Sequence, residues 1–204
     1  MTGAREVPFG DLRIRCDDAV LSPRSWTLAQ ASWAVELAAD LPSGPALELC
    51  AGAGQIGLAF AHATGRDLVQ VDRNPRACEL ARENAVAAGV SSDVRCGDLL
   101  GALADDERFP VILADPPYIP SEEIGRFPDD PTMAIDGGRD GLEVARVCVA
   151  AIARHLTPDG AAVLQLGGAH QHAPLAPAIR DHGLVVAGER DHGPDRSLVH
   201  LRHA

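Results

Sequence analysis

The chain has 204 residues, 46 % of them hydrophobic, which suits one globular domain with a sizeable core and excludes a disordered chain. A net charge of −11 argues against autonomous binding of nucleic acid, because such binders carry a basic face for the phosphates. No apolar run approaches the roughly 18 residues of a membrane span, and MTGAREVPFG lacks the basic-then-apolar pattern of a secretory signal, so a cytoplasmic protein without membrane contact is expected.

From the N-terminus, FGDLRIRCDDAVLS predicts a small β element and WTLAQASWAVELAADL a helix. Residues 1–45 read as an N-terminal extension packed on a domain of residues 46–204. In that domain apolar runs alternate with helical patterns. PALELCAG predicts a strand, QIGLAFAHATG a helix closed by Gly65, and DLVQVD a second strand. NPRACELARENAVAAG predicts a helix with Asn74 as N-cap, Pro75 at its first position and Gly89 past its end. SDVRCGD and FPVILAD predict strands three and four, GRDGLEVARVCVAAIARHL a long helix, and GAAVLQLG a fifth strand. A proline-marked helix, QHAPLAPAIRDHG, leads to the final strands LVVAGE and SLVHLRH, joined by a short turn. This alternation predicts an α/β chain with a mostly parallel seven-stranded sheet, helices on both faces and a C-terminal hairpin that brings one antiparallel strand.

The five cysteines (Cys16, Cys50, Cys78, Cys96, Cys148) form no CxxC pair, so neither a zinc site nor a disulfide framework is suggested. The eight histidines show no HExxH spacing and read as surface residues; no metal is implied.

Chemistry concentrates at two loops. Cys50-Ala51-Gly52-Ala53-Gly54-Gln55-Ile56-Gly57 holds GxGxxG between a strand and a helix, the context of a site for the nucleotide part of a cofactor. Gly52 and Gly54 let the backbone turn tightly and approach a ligand. Asp72 ends the next strand, 20 residues after Gly52, where a carboxylate accepts from ribose hydroxyls. NAD and S-adenosyl-L-methionine (SAM) both fit this layout. Three features favour SAM: Glu48 inside the strand before the loop, able to bind an ammonium group; Asp98 after the third strand, able to accept from an adenine amino group; and the motif Asp115-Pro116-Pro117-Tyr118. Each acid alone reads as a solvated strand end or a capping residue. All four fall at carboxyl ends of strands, where such sheets bind ligands.

The second loop, VILADPPYIP, stiffens a strand exit with two prolines that donate no hydrogen bond. A planar NH2 nitrogen has a delocalised lone pair and attacks a sulfonium methyl only if that pair turns toward carbon. Two acceptors gripping its two hydrogens favour the turn: the Asp115 carboxylate and the Pro116 carbonyl, the latter aimed in advance by fixed φ. Tyr118 lies flat against the planar group.

In order, ELCAGAGQIGLAF, VDRNPRACELARENA, CGDLL and ILADPPYIP resemble the motifs of class I SAM-dependent methyltransferases. PDDPTMAIDGGRDGLEVARVCVAAIARHLTPDGAAVLQLGGAHQ, AVLSPRSWTLAQ and the closing PDRSLVHLRH resemble the HemK/PrmC-type protein-(glutamine-N5) methyltransferases, which modify the GGQ motif of peptide chain release factors. The resemblance covers about residues 9 to 204. It implies the Rossmann-like class I fold and SAM as cofactor. Glu48, Gly52, Gly54, Asp72 and Asp98 would bind SAM, with Cys50, Ala51, Gln55, Arg73 and Leu99 beside them. Asp115, Pro116 and Tyr118 would hold the accepting amide, and Pro117, Pro23, Arg24 and Thr27 would line the acceptor side. The implied partner is a protein such as a release factor, or else a small molecule, and some short family members work with a small activating protein.

The chain differs from the family pattern in four places. Asp115 stands where the family has Asn, and Asp in this motif is common among DNA amino-methyltransferases. About 45 residues precede the first core strand, where bacterial members carry a helical docking domain. Leu28 and Gln30 lie near a position often acidic, and Gln165 stands where Glu is common. Four readings follow: methylation of a protein glutamine; amino-methylation of a base or small molecule; a catalytically dead binding protein that keeps the fold; and an NAD(P)-binding oxidoreductase. The last lacks a Tyr/Lys pair, since the chain has one tyrosine and no lysine.

Overall fold

Every strand from residue 46 onward joins one sheet. The computed structural model describes residues 3–204. Strands β3 (Ala46–Leu49), β4 (Leu68–Asp72), β5 (Ser92–Cys96), β6 (Phe109–Ala114), β7 (Leu156–Leu166), β8 (Leu184–Asp191) and β9 (Ser197–His203) lie in the order β5-β4-β3-β6-β7-β9-β8. The pairs from β5 through β7 are parallel, and β9 runs antiparallel to both of its neighbours. The expected seven strands and the hairpin are therefore present. Helices α2 (Gln55–Thr64), α3 (Pro75–Ala88), α5 (Glu143–His155) and α6 (His172–Asp181) cover the sheet, with a short α4 (Thr132–Ile135) between β6 and α5.

Alternation along each strand divides the core in two. Leu47, Leu49, Val71, Ile112 and Leu164 pack with Cys148, Val149 and Ile152 of α5. Ala46, Leu68, Leu113 and Val163 pack on the other face with Ile56, Phe60 and Leu80 of α2 and α3. That second face also takes the N-terminal elements. The hairpin β1 (Arg5–Phe9) and β2 (Leu12–Cys16) contributes Phe9 and Ile14, and α1 (Leu28–Ala38) contributes Ala31, Trp33 and Ala34. Gln30 of α1 is fully buried and donates from Nε2 to the carbonyls of Ala114 (2.9 Å) and Val163 (2.8 Å), pinning α1 across the ends of β6 and β7.

Local signals explain the helix ends. The Asn74 side chain accepts from Arg76 N, Pro75 opens α3, and Gly89 closes it at φ 65°, a conformation that favours glycine. Among the boundaries that differ from the sequence reading, two have a local cause. Helix α5 begins at Glu143, because Gly137–Gly141 form a loop in which Asp136 and Asp140 accept from the amides of Gly138 and Leu142. Strand β7 begins at Leu156, since its pairing with β6 jumps from Phe109–Leu156 to Val111–Ala161 and carries residues 157–160 as an irregularity within the strand. The histidines are not all on the surface: His155 is fully buried, its Nδ1 3.0 Å from the Glu107 carbonyl. Among the described residues no helix is long and apolar enough to cross a membrane.

Candidate functional site

The sheet order changes direction between β3 and β6, so their C-terminal loops lie side by side at the point where such sheets bind ligands. The Asp115 amide faces the Leu49 carbonyl at 3.4 Å, joining the two loops.

The loop after β3 turns through three left-handed residues: Cys50 (φ 58°), Gly52 (φ 56°) and Gly54 (φ 86°). The glycines differ in purpose. A Cβ at Gly54 would sit 2.7 Å from Gln70 Nε2, and one at Gly57 would collide with Glu48 Oε2, so both serve packing. A Cβ at Gly52 meets no protein atom within 4 Å, because this residue faces a cavity. The Asp72 carboxylate accepts from the amides of Gly52 (2.7 Å) and Asn74 (2.8 Å), and burial raises its pKa.

Glu48 takes a different place from the one expected. Strand parity turns it away from the cavity, toward α2. Its Oε1 accepts from Gly57 N at 2.9 Å and its Oε2 from Gln70 Nε2 at 2.6 Å. Burial pushes its pKa up to about 8 against those two donors. The acid therefore braces the loop from below. Ala51, Gly54 and Pro23 also lie outside the cavity walls, as second-layer packing.

One cavity of about 260 Å³ is walled by Cys50, Gly52, Asp72, Arg73, Asp98 and Leu99. Asp98 Oδ1 accepts from Leu100 N at 3.0 Å. A second cavity of about 270 Å³ is walled by Arg24, Thr27, Pro116 and Tyr118, with Trp26 and Phe127 at its rim. Asp115, Pro117 and Gln55 line both. Asp115 is only partly exposed at this junction, and burial pushes its carboxyl up to about 7. Burial likewise pushes the Tyr118 hydroxyl up to about 12, with Asp115 adding to the shift.

These features accord with a methyl-transfer site, and sequence comparison decides the family. Residues 12–126 match the methyltransferase small domain family. The chain belongs to this family. The methyltransferase is 33 % identical over 209 residues to the release factor glutamine methyltransferase of Deinococcus radiodurans, an alignment that covers 98 % of this chain and 72 % of that protein. It is 37 % identical over 160 residues to the protein of that name from Mycolicibacterium smegmatis, covering 74 % of this chain and 56 % of the relative. A ribosomal protein uL3 glutamine methyltransferase from Bradyrhizobium diazoefficiens is 35 % identical over 128 residues, 59 % of this chain and 40 % of that one. Solved structures share the fold. The ribosomal protein L11 methylase of Lactobacillus delbrueckii superposes with a TM-score of 0.69 at 16 % identity, over 93 % of this chain and 84 % of the other. The human Mettl16 catalytic domain with an RNA hairpin gives 0.74 at 14 %, over 94 % and 75 %.

Sequence reasoning missed the parts that hold the proline loop of the methyltransferase in place. Gln171, buried at 3 % exposure, donates from Nε2 to the Tyr118 carbonyl (3.0 Å) and accepts from Gly167 N (2.7 Å). Gly137 and Gly141 press against the carbonyls of Pro117 and Tyr118; a Cβ on Gly137 would sit 2.7 Å from the former, and one on Gly141 would strike the latter. Ile119 pairs by backbone with Ile135 and Gly137. On the outer side Arg24 bridges to Asp130 at 2.6 Å, while the Arg24 and Arg196 guanidinium carbons lie 5.7 Å and 4.6 Å from the Trp26 ring centroid. The glycine run in DGGRDG was the one available signal for these contacts.

Proposed function

We propose that this methyltransferase moves a methyl group from SAM to the side-chain amide nitrogen of a glutamine in a protein substrate of the release-factor type. The observation that carries this reading is the position of Asp115 and Pro117 in the shared wall of two cavities, with Pro116 and Tyr118 on the far side. Names of relatives supply the substrate class: release factors and ribosomal protein uL3 differ as proteins, while a glutamine side chain is common to both.

The residues of the first cavity fit the cofactor. Gly52 leaves open space where a side chain would intrude, and its amide is held by Asp72. The Asp72 carboxylate, with lone pairs to spare, suits ribose hydroxyls, and Asp98 suits the adenine amino group. When bound, SAM supplies a methyl group on cationic sulfur.

The chain's own groups then act on the acceptor. The Asp115 carboxylate and the Pro116 carbonyl accept the two N–H bonds of the amide and turn its lone pair toward the neighbouring cavity. Ionised Asp115 also offsets the positive charge that grows on nitrogen, which sheds its proton after the methyl has arrived. Tyr118 supplies a flat wall. In this reading residues 1–45 form an extension whose Arg24 and Thr27 close the acceptor side.

Incubation with tritiated SAM and a cell lysate, followed by protease or nuclease digestion, tests the reading. Label released by protease as methylglutamine is expected. Label released by nuclease would replace it with base methylation.

A further inference from the structure

We propose that Arg196, carried on the face of Trp26, selects protein substrates in which an acidic residue flanks the target glutamine. The inference deepens the glutamine reading and rests on it.

Two tryptophans, one tyrosine and four phenylalanines are the aromatic residues of the chain. Phe9, Trp33, Phe60 and Phe109 are buried in the core. The other three, Trp26, Tyr118 and Phe127, all line the second cavity. Trp26 is 38 % exposed and Phe127 36 %. Uncovered aromatics gathered around one cavity, in a chain with so few of them, mark a contact surface.

Charge on this rim is uneven. Arg24 and Arg196 lie over the Trp26 ring, at 5.7 Å and 4.6 Å from its centroid, and Arg126 lies over Phe127 at 5.9 Å. Arg24 is neutralised by Asp130 and Arg126 by Glu123. Arg196 has no ion pair among the described residues. Its charge reaches the acceptor wall: burial raises the Tyr118 hydroxyl, and Arg196 and Arg24 both oppose that rise. A guanidinium over an aromatic ring loses little freedom on binding and keeps N–H donors for a planar oxyanion. The backbone behind it is held as well. Arg196 directly precedes β9, and the His192 amide donates to its carbonyl at 2.9 Å to close the turn. Pro194 of that turn lies against Gly168, where a Cβ would strike the Pro194 carbonyl.

One free guanidinium matches one carboxylate. Nucleic acid presents a phosphate at every residue and calls for a row of cations. This rim leaves a single cation unpaired, in a chain of net charge −11. With the glutamine amide held between Asp115 and Tyr118, an aspartate or glutamate beside it in the substrate is the group that Arg196 would receive.

Paired peptides test this on the full chain. The probes are glycine-rich peptides with a single glutamine, identical except for an aspartate or its isostere asparagine at each of the two residues on either side. Transfer from tritiated SAM is read as kcat/KM. The wild type should favour aspartate over asparagine at one of these positions by about fivefold. Arg196→Gln should bring that ratio to about one, and Arg196→Glu should prefer lysine to aspartate there. S-adenosylhomocysteine (SAH) should bind both variants in calorimetry, because Arg196 does not line the donor cavity. Equal rates for the aspartate and asparagine peptides in the wild type, or an aspartate preference that survives Arg196→Gln, overturns the proposal and leaves the glutamine reading standing. Label in none of the peptides overturns the glutamine reading, and the proposal with it. Label in an oligonucleotide offered beside them would replace both with base methylation.

Discussion

Gln171 and Tyr118 are joined by a 3.0 Å hydrogen bond from the Gln171 amide to the Tyr118 carbonyl, while the same glutamine accepts from Gly167 at the end of β7. Tyr118 thus stands on a backbone held from outside the proline loop. Gln171→Ala leaves a buried N–H and a carbonyl unpaired, which costs about 1–3 kcal/mol. We expect a lower midpoint in a denaturant titration and a fall in kcat, with SAH affinity unchanged in calorimetry because Gln171 lines neither cavity.

The glycine loop separates packing from binding. In Gly57→Ala the new Cβ meets the buried Glu48 carboxylate, which two hydrogen bonds hold in place. That variant should lose much of its thermal stability. Gly52→Ala meets open space but keeps a left-handed φ of 56°, a strain of about 1–2 kcal/mol. It should fold with a modest drop in Tm and lose SAH affinity far more severely, as its Cβ projects into the cavity.

Asp115 and Glu48 set a pH dependence in the ligand-free protein. Burial raises Asp115 from 3.8 to about 7 and Glu48 from 4.5 to about 8. Between the ordinary and the raised values the native state holds protons that the unfolded chain has released. Stability therefore falls as pH rises from about 4 to 8 and levels off above that window. Asp115→Asn removes one of the two groups. Its Tm should match that of the wild type near pH 4 and exceed it by a growing margin up to pH 7, as read by scanning calorimetry. Glu48 keeps part of the slope.

Arg24 and Asp130 join two distant segments at the wall of the second cavity, which the proposed function assigns to the acceptor. Asp130→Asn weakens that link without touching the donor cavity. The KM for the acceptor should rise while the SAH dissociation constant stays the same in calorimetry.

Much of the fold was legible because its signals are local. Alternating apolar runs marked β3, β4 and β6, and Asn74, Pro75 and Gly89 marked α3. The site was legible where a motif sits at a strand exit: Gly52, Asp72 and Asp115 all face cavities. Glu48 misled because period two, not position near the strand end, decides which face a side chain takes. The neighbours Leu47 and Leu49 face the α5 side, so Glu48 faces α2. Gln171, Gly167 and Gly137 were illegible for another reason. Tyr118 lies 53 residues from Gln171 and 49 from Gly167, and Pro117 lies 20 from Gly137, so only the folded chain brings them together. The helical period around GRDGLEV likewise hid the loop that packs on Pro117 and Tyr118.

The central claim is that Asp115 grips the nitrogen that accepts the methyl. Its most direct test is the rate of tritium transfer from saturating SAM to a glutamine-bearing release-factor peptide, compared among wild type, Asp115→Asn and Asp115→Ala. The account predicts methylglutamine from the wild type, measurable transfer from Asp115→Asn, whose side chain keeps an acceptor oxygen, and none from Asp115→Ala although SAH still binds it. Full transfer by Asp115→Ala, or loss of SAH binding in that variant with turnover retained, would contradict it.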